Sequence, residues 1–207
     1  MDTSRYNTIE ELREATINCR RCGLRQGCTQ VVPGEGRASA QVMFVGEAPG
    51  ANEDEEGSPF VGRSGKLLRK IIQDSGFDID SQVYITNTAK CRPPDNRDPV
   101  QSEINACKPW LWEEMLFIKP KIIFCVGKVP TRTLFSITKK ILKLKDYAGE
   151  FYKMPWPEEK FNGLLMPIYH PSYLLRSPSK ISDETKWIEK GYSYAIKNEN
   201  HIKFRLP

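Results

Sequence analysis

Short apolar runs alternate with amphipathic segments along most of this chain. Four apolar runs of five or six residues are predicted β-strands, at 41–46, 83–87, 121–126 and 164–169. Apolar residues at helical spacing predict helices at 9–17, 64–75, 99–115, 129–137 and 183–196, whereas the Gly-, Pro- and acid-rich stretch 48–61 is predicted to be a loop. Strands that alternate with helices favour a mostly parallel sheet covered by helices on both faces, which is an α/β fold.

Composition places the chain among ordinary globular proteins. Its 207 residues are 39% hydrophobic and 28% charged, enough for one domain, predicted to span 1–207, with a sizeable core. No apolar run approaches the ~20 residues that a membrane-spanning helix needs. The first 14 residues lack the apolar stretch of a signal peptide, so we expect a cytoplasmic protein.

The net charge of +5 is unevenly distributed. The segment 119–145 carries eight basic residues and no acidic residue. A patch of one sign attracts polyanions such as the phosphate backbone of nucleic acids. A solvated helix face gives the same pattern, so charge alone leaves both interpretations open.

Four of the six cysteines have spacings that suit a metal site. Cys19 and Cys22 form a C-x-x-C pair, and Cys91 and Cys107 are each followed closely by proline. Zinc ribbons usually have two such pairs, so a single pair favours a 4Fe–4S cluster, which also takes four thiolates. The alternative is that Cys91 and Cys107 are ordinary buried thiols, as we expect for Cys28 and Cys125.

Polar side chains follow three of the predicted strands. Glu47 comes after the first, Asn87 ends the second, and His170 follows the fourth. Ligands of open α/β sheets bind at the carboxyl ends of the strands, so a carboxylate, an amide and an imidazole are predicted to meet in one crevice.

The motifs that contain these residues resemble those of family 4 uracil-DNA glycosylases, the iron–sulfur type. They are G-E-A-P-G-x-x-E-D at 46–54, G-x-P-F-V-G-x-x-G at 57–65, T-N-x-x-K-C-R-P-P-x-N-R-D-P at 86–99 and H-P-S at 170–172. The resemblance implies a three-layer α/β/α sandwich around a four-stranded parallel sheet, with Cys19, Cys22, Cys91 and Cys107 as ligands of a 4Fe–4S cluster. It also implies hydrolysis of the N-glycosidic bond of uracil in DNA.

The same resemblance suggests how the pocket recognises its base. Phe60 would provide an aromatic face, and Asn87 would recognise the pyrimidine edge and reject cytosine. His170 would donate a hydrogen bond to uracil O2 as negative charge develops on the base. Without the motifs, a core phenylalanine, a turn asparagine and a structural histidine are the simpler interpretations.

The first motif has alanine where many other uracil-DNA glycosylases have an aspartate that handles water. Glu47, Ala48 and Pro49 should still line the pocket, and Glu47 is a catalytic candidate. The water-handling group stays open between Glu47 and Glu53. Our hypothesis for Glu53 is steric, since its side chain can fill the space beside uracil C5 and exclude the methyl group of thymine.

The segment after H-P-S is a candidate DNA contact. Leu174 or Leu175 would enter the duplex where the base has left, and Arg176 would bind a phosphate. A helix that buries both leucines is the alternative. We expect a monomer that acts on uracil-containing DNA. A sliding clamp is a candidate partner, although the basic and apolar tail 201–206 does not match a docking peptide.

Two other classes of protein share part of this pattern. A non-catalytic iron–sulfur or zinc protein can bind nucleic acid through its basic half, and an electron-transfer protein can carry the same cysteines. Neither needs Phe60, Asn87 and His170 together, and this combination therefore discriminates among the three functions.

Overall fold

The computed structural model describes residues 4–136, 143–154 and 163–197. Its helices are α1 (Ile9–Ile17), α2 (Leu24–Gly27), α3 (Ala51–Glu56), α4 (Arg63–Asp74), α5 (Ile79–Gln82), α6 (Gln101–Ile118), α7 (Lys128–Leu134), α8 (Pro171–Arg176) and α9 (Ile181–Ala195). Its strands are β1 (Glu35–Gly36), β2 (Val42–Gly46), β3 (Val83–Asn87), β4 (Ile122–Val126), β5 (Tyr152–Lys153) and β6 (Leu164–Ile168). Lys139, Lys140 and the predicted tail 201–206 lie outside the described residues.

One sheet organises the fold, in the order β1-β3-β2-β4-β6-β5. The four inner strands are parallel and coincide with the four predicted apolar runs. Gly46 is in register with Asn87, and Val126 with Ile168, so the carboxyl ends of the inner strands share one edge. This arrangement confirms the mostly parallel α/β sheet.

Helices cover both faces of the sheet because inner-strand side chains alternate between two apolar clusters. Met43 and Val45 pack on one face, in a cluster that includes residues of α1, α6 and α7. Phe44 packs on the other face, in a cluster that includes residues of α4, α8 and α9, and its ring stacks on Phe124 with centroids 4.5 Å apart. These two clusters give the three layers.

The two edge strands and three of the described helices (α2, α3 and α5) were not predicted. β1 and β5 are two residues long and pair antiparallel with β3 and β6, so neither has an apolar run that would reveal it. The stretch 48–61 is not a loop throughout, because it contains α3. Gly50 is the N-cap of that helix, and the Glu53 carboxylate accepts its N–H at 3.1 Å; Gly57, with a left-handed backbone, is the C-cap.

Four helices begin one or two residues away from the predicted position, among them α7 at Lys128 and α9 at Ile181. Gly62, rather than Ser64, is the N-cap of α4, and Ser64 lies in its first turn. α6 begins at Gln101 rather than at Pro99, since Glu103 accepts the Val100 N–H at 2.8 Å. None of the helices that the structure describes is both long enough and apolar enough to cross a bilayer.

Candidate active site and metal centre

A cleft of about 1070 Å³ opens at the carboxyl ends of the inner strands. Its wall contains the predicted site residues Glu47, Ala48, Pro49, Glu53, Phe60, Asn87, His170 and Arg176. Ala48 is half-buried and Pro49 is buried. The structure therefore brings together, at one edge of the sheet, side chains that come from four separate motifs.

Phe60 and Asn87 meet over Gly46, the last residue of β2. A Cβ atom at position 46 would lie 2.3 Å from Asn87 Oδ1 and 2.5 Å from Phe60 Cζ. Because real Cβ atoms do not approach so closely, any larger residue here would displace the ring or the amide. Asn87 is 2% exposed, and its side chain ends at the cleft wall.

Phe60 has a left-handed backbone with φ of 56°, which is uncommon for a residue other than glycine. The guanidinium of Arg69 stabilises this conformation from α4. Its Nε donates to the Phe60 carbonyl at 3.1 Å, and its Nη2 donates to the Pro59 carbonyl at 2.9 Å. The ring is 6% exposed and contacts both the core and the cleft, so the two interpretations of Phe60 are compatible.

The Glu53 carboxylate is bound by backbone amides on two sides. Oε2 accepts the Gly50 N–H at 3.1 Å, and Oε1 accepts those of Val61 and Gly62 at 2.9 and 2.8 Å. Glu53 therefore ties the first turn of α3 to the segment that carries Phe60. Its side chain also lines the cleft, so the steric role beside uracil C5 stays a prediction.

His170 is held in one tautomer by its own loop. The Ser172 backbone N–H donates to His170 Nδ1 at 3.2 Å, and the Ser172 hydroxyl lies 2.7 Å from the same nitrogen. Since Nδ1 accepts, the neutral ring carries its proton on Nε2. Burial lowers the pKa of His170 to about 4, and the positive charge of Arg176 adds to the shift while Glu53 opposes it.

Glu47 has a carboxylate neighbour that the sequence did not reveal. Burial raises the pKa of Glu47 to about 7, and the charge of Asp98 and a hydrogen bond with it add to this shift. Both side chains line the cleft. Two carboxyl groups that share a site hold a proton between them more readily than either would alone.

The segment after His170 divides its side chains between core and cleft. Leu174 is 0% exposed and packs in the core, as the alternative of a buried helix expects for this residue, and its contact with DNA stays a prediction. Leu175 is half-buried, Arg176 is exposed, and Tyr173 is 38% exposed at the cleft. The orientation of α8 about its own axis determines which of these side chains face the core and which face the cleft.

The cysteines of the predicted metal site face a second, small cavity. Cys19, Cys22, Cys91 and Cys107 line it together with Leu24, Val31 and Ala106. The Trp110 indole N–H donates to the Cys19 sulfur at 3.0 Å, and the Lys90 backbone N–H donates to that of Cys107 at 3.2 Å. Among the described residues, no three possible ligands are close enough to bind one metal ion together.

The other two cysteines differ from each other. Cys125 is fully buried within β4, as expected for an ordinary thiol. Cys28 is buried too, but it belongs to the same apolar cluster as Cys91 and lies beside that thiol. Burial, followed by a hydrogen bond with Cys28, raises the pKa of Cys91, and burial raises that of Cys107 to about 11. Such thiols ionise when a cation binds them.

Comparisons with known proteins agree with this geometry. The family model of the uracil DNA glycosylase superfamily matches residues 33–193. The type-4 uracil-DNA glycosylase of Sulfurisphaera tokodaii is 43% identical over 182 residues, which cover 86% of this chain and 81% of that protein. This chain belongs to the type-4 family of the uracil DNA glycosylase superfamily.

Relatives from other lineages give the same result. The type-4 uracil-DNA glycosylase of Thermotoga maritima is 38% identical and covers 85% of this chain and 88% of that protein. A type-5 uracil-DNA glycosylase from Pyrobaculum aerophilum is 33% identical, with 74% and 71% covered. Similarity thus extends to the type-5 branch at lower identity.

This type-4 chain has further cleft residues that sequence reasoning missed. They are Asp98, Lys128, Leu144, Lys145, Tyr173 and Lys180. Lys128 and Lys145 come from the basic segment 119–145, so its one-signed charge was the available signal. No sequence signal beyond its place in the third motif identified Asp98 as a cleft residue, because its partner Glu47 is remote in sequence.

Proposed function

We propose that this protein hydrolyses the N-glycosidic bond of uracil in DNA, releasing free uracil and leaving an abasic site. The convergence of Phe60, Asn87 and His170 on one cleft carries the proposal. The type-4 relatives, which are named uracil-DNA glycosylases, support it. Such a reaction requires the deoxyuridine nucleotide to leave the base stack before its N-glycosidic bond can be reached.

Phe60 and Asn87 form the base-recognition part of the cleft. The Phe60 ring stacks on the extruded base, and the Asn87 carboxamide accepts from uracil N3–H and donates to O4. Cytosine has a bare N3 and an amino group at position 4, so it would leave buried polar groups unpaired. Selectivity therefore depends on an amide held in one orientation.

His170 stabilises the departing base. When the bond between C1′ and N1 breaks, the electron pair leaves with uracil and negative charge develops on O2. The neutral imidazole donates its Nε2–H to this oxygen, which is an electrostatic role that needs no proton transfer. A pKa of about 4 keeps the ring neutral at physiological pH, so this donor stays in one form.

Glu47 orients the attacking water. Its ionised carboxylate accepts a proton from the water as the water oxygen bonds to C1′ of the sugar cation. The charge of Asp98 and its hydrogen bond with Glu47 add to the rise in the pKa of Glu47 and so lower the fraction of Glu47 that is ionised. Ala48 offers no polar group, which leaves the neighbouring glutamate as the acceptor.

Cys19, Cys22, Cys91 and Cys107 would hold a 4Fe–4S cluster. The fit rests on the donor set, since four cysteine thiols, two buried and two half-buried, line one cavity, and a 4Fe–4S cluster takes four thiolates. When bound, the cluster supplies a structural link among α1, β3 and α6. The cleft residues have no use in an electron carrier or in a passive DNA-binding protein, which disfavours both alternatives.

Basic side chains at the rim of the cleft are proposed to contact the DNA. Lys128, Lys145 and Arg176 bring positive charge to the opening, where the phosphates of a kinked duplex would pass. We further propose a cytoplasmic monomer that folds as one domain over 1–207. A sliding clamp stays a candidate partner.

The test uses an oligonucleotide with one uracil, followed by alkaline cleavage at the abasic site. We expect cleavage with uracil, none with cytosine, and a loss of roughly 100-fold or more for Asn87→Ala and His170→Ala. Val100→Ala, at an exposed residue that does not line the cleft, is the control. Binding of the uracil oligonucleotide without any release of base would reject the proposal.

A further inference from the structure

A buried ion pair behind the cleft wall has no part in the mechanism above. The side chains of Lys90 and Glu114 are each 1% exposed, and Lys90 Nζ lies 2.7 Å from Glu114 Oε2. Burying two charges costs desolvation free energy, and apolar residues of similar volume often give equal or better stability. The contacts of this pair suggest a role other than stability.

On the β3 side, the pair binds the residues that lead into the cleft. Lys90 Nζ donates to the main-chain carbonyl of Asn87 at 2.9 Å and also contacts the Thr86 hydroxyl. That hydroxyl lies 2.9 Å from Glu114 Oε2. The ammonium group therefore contacts the main chain of the residue whose side chain is proposed to recognise the base.

On the other side, the pair is anchored in α6. Cys107 and Glu114 are seven positions apart, so they lie on the same face of this helix. The Cys107 sulfur accepts the Lys90 backbone N–H at 3.2 Å, while Glu114 binds the Lys90 side chain and accepts the Gly34 N–H at 3.1 Å. Lys90 is thus attached to α6 through both its main chain and its side chain.

We propose that Lys90 and Glu114 are positioning residues, which hold the main chain of Asn87 so that its carboxamide faces the base, with the Cys107 sulfur as a second anchor. This inference rests on the proposed function, in which Asn87 recognises uracil. An amide distinguishes uracil from cytosine only in one orientation. Because the orientation depends on the main chain that carries it, a small shift at the end of β3 weakens recognition.

The experiment is a double-mutant cycle on the loaded enzyme. Lys90→Met/Glu114→Gln neutralises both charges at once, so neither is left buried without a partner. kcat/KM for uracil release is measured for this variant in the wild-type and Asn87→Ala backgrounds, together with iron and sulfide content. We expect a decrease of about tenfold in the wild-type background, no further decrease with Asn87→Ala, and unchanged iron.

Arg5→Met/Glu113→Gln is the matched control, since it removes the ion pair of the preceding helix residue, which does not contact Asn87. It should leave kcat/KM unchanged. Equal fold-decreases in both backgrounds would overturn the inference, because a general loss of structure adds to the loss of Asn87. An unchanged kcat/KM in the wild-type background would overturn it as well.

Thr86→Val provides a second route if the neutral pair does not fold or loses iron. It removes the hydroxyl that contacts both charged groups and leaves no charge unpaired. The same pattern with a smaller decrease would support the inference, and additive losses would reject it. Failure of the proposed function is distinguishable, because the wild-type enzyme itself would then release no uracil.

Discussion

Glu53 and Gly62 are joined by a hydrogen bond of 2.8 Å from the Gly62 backbone N–H to Glu53 Oε1. This bond connects α3 to the beginning of α4 across the segment that carries Phe60. A carboxylate that accepts such bonds stabilises the folded state by about 2 kcal/mol per bond. The position of the Phe60 ring therefore depends on the side chain of Glu53, which lies in the first turn of α3.

Replacement of Glu53 should release this segment. Glu53→Ala removes all three hydrogen bonds of this half-buried carboxylate and is expected to lower the free energy of unfolding by at least about 2 kcal/mol. Uracil release should fall roughly 10- to 100-fold, because the aromatic face loses its anchor. Denaturant unfolding and release assays with uracil and thymine oligonucleotides measure both effects, with exposed Glu56→Ala as the control. New thymine release by Glu53→Ala would instead support the steric role of this side chain.

The Glu47–Asp98 pair predicts the acid limb of the pH profile. Because ionised Glu47 accepts the proton from water, uracil release should decrease as the pH falls through about 7. Asp98→Asn removes a negative neighbour, lowers the pKa of Glu47 and should move the limb to lower pH. Single-turnover rates between about pH 5 and pH 9 test this. The control is Asp95→Asn in the same loop, and an unmoved limb for Asp98→Asn would contradict the pairing.

Titration of His170 should not change the rate of uracil release over most of that pH range. Its pKa of about 4 lies below the ordinary value, so the neutral ring is lost only as the pH falls toward 4. The folded state gains stability from this group above the ordinary pKa of 6.5 and loses it progressively between 6.5 and 4. Imidazole NMR signals followed across this range should titrate near 4, and a midpoint near 6.5 would contradict the burial argument.

Tyr173 is expected to contact DNA, as the exposed aromatic residue of the segment after H-P-S. Its ring lies 5.0 Å from that of Tyr169 and lines the cleft. Tyr173→Ala should weaken binding of a uracil-containing duplex by about 1–3 kcal/mol, the usual range for one base–aromatic contact. Fluorescence anisotropy measures the affinity, with Ile17→Ala as the control at an exposed apolar residue. Equal affinities for both variants would exclude this contact.

Cysteine substitutions should separate ligands from ordinary thiols. Cys22→Ala is expected to lose iron, visible absorbance and stability, because a structural metal site contributes folding free energy. Cys125→Ala lies within β4, away from the small cavity, and should keep its iron and its colour. Iron, sulfide and zinc analyses of both variants test this. Stoichiometric zinc without visible absorbance in the wild-type protein would reject the iron–sulfur assignment.

Much of the fold was predictable because its signals are local. The four inner strands are apolar runs, and the strand-end positions of Asn87 and His170 follow from where those runs stop. By contrast, β1 and β5 exist only through pairing with a neighbour, since two residues carry no periodicity of their own. α3 had a local signal in Glu53, whose carboxylate accepts the N–H of the Gly50 N-cap three residues earlier, but the acidic composition of the segment obscured it.

By itself, the amino-acid sequence determined the layer architecture, the strand ends that form the cleft and the set of cysteines, because hydrophobic periodicity and motif spacing act over short distances. Only the tertiary structure decided that Leu174 is buried while Tyr173 is exposed, and that Asp98 meets Glu47. Those outcomes depend on how α8 rotates against the core and how remote loops meet above the sheet. Packing of the whole chain sets both, and no local pattern encodes them.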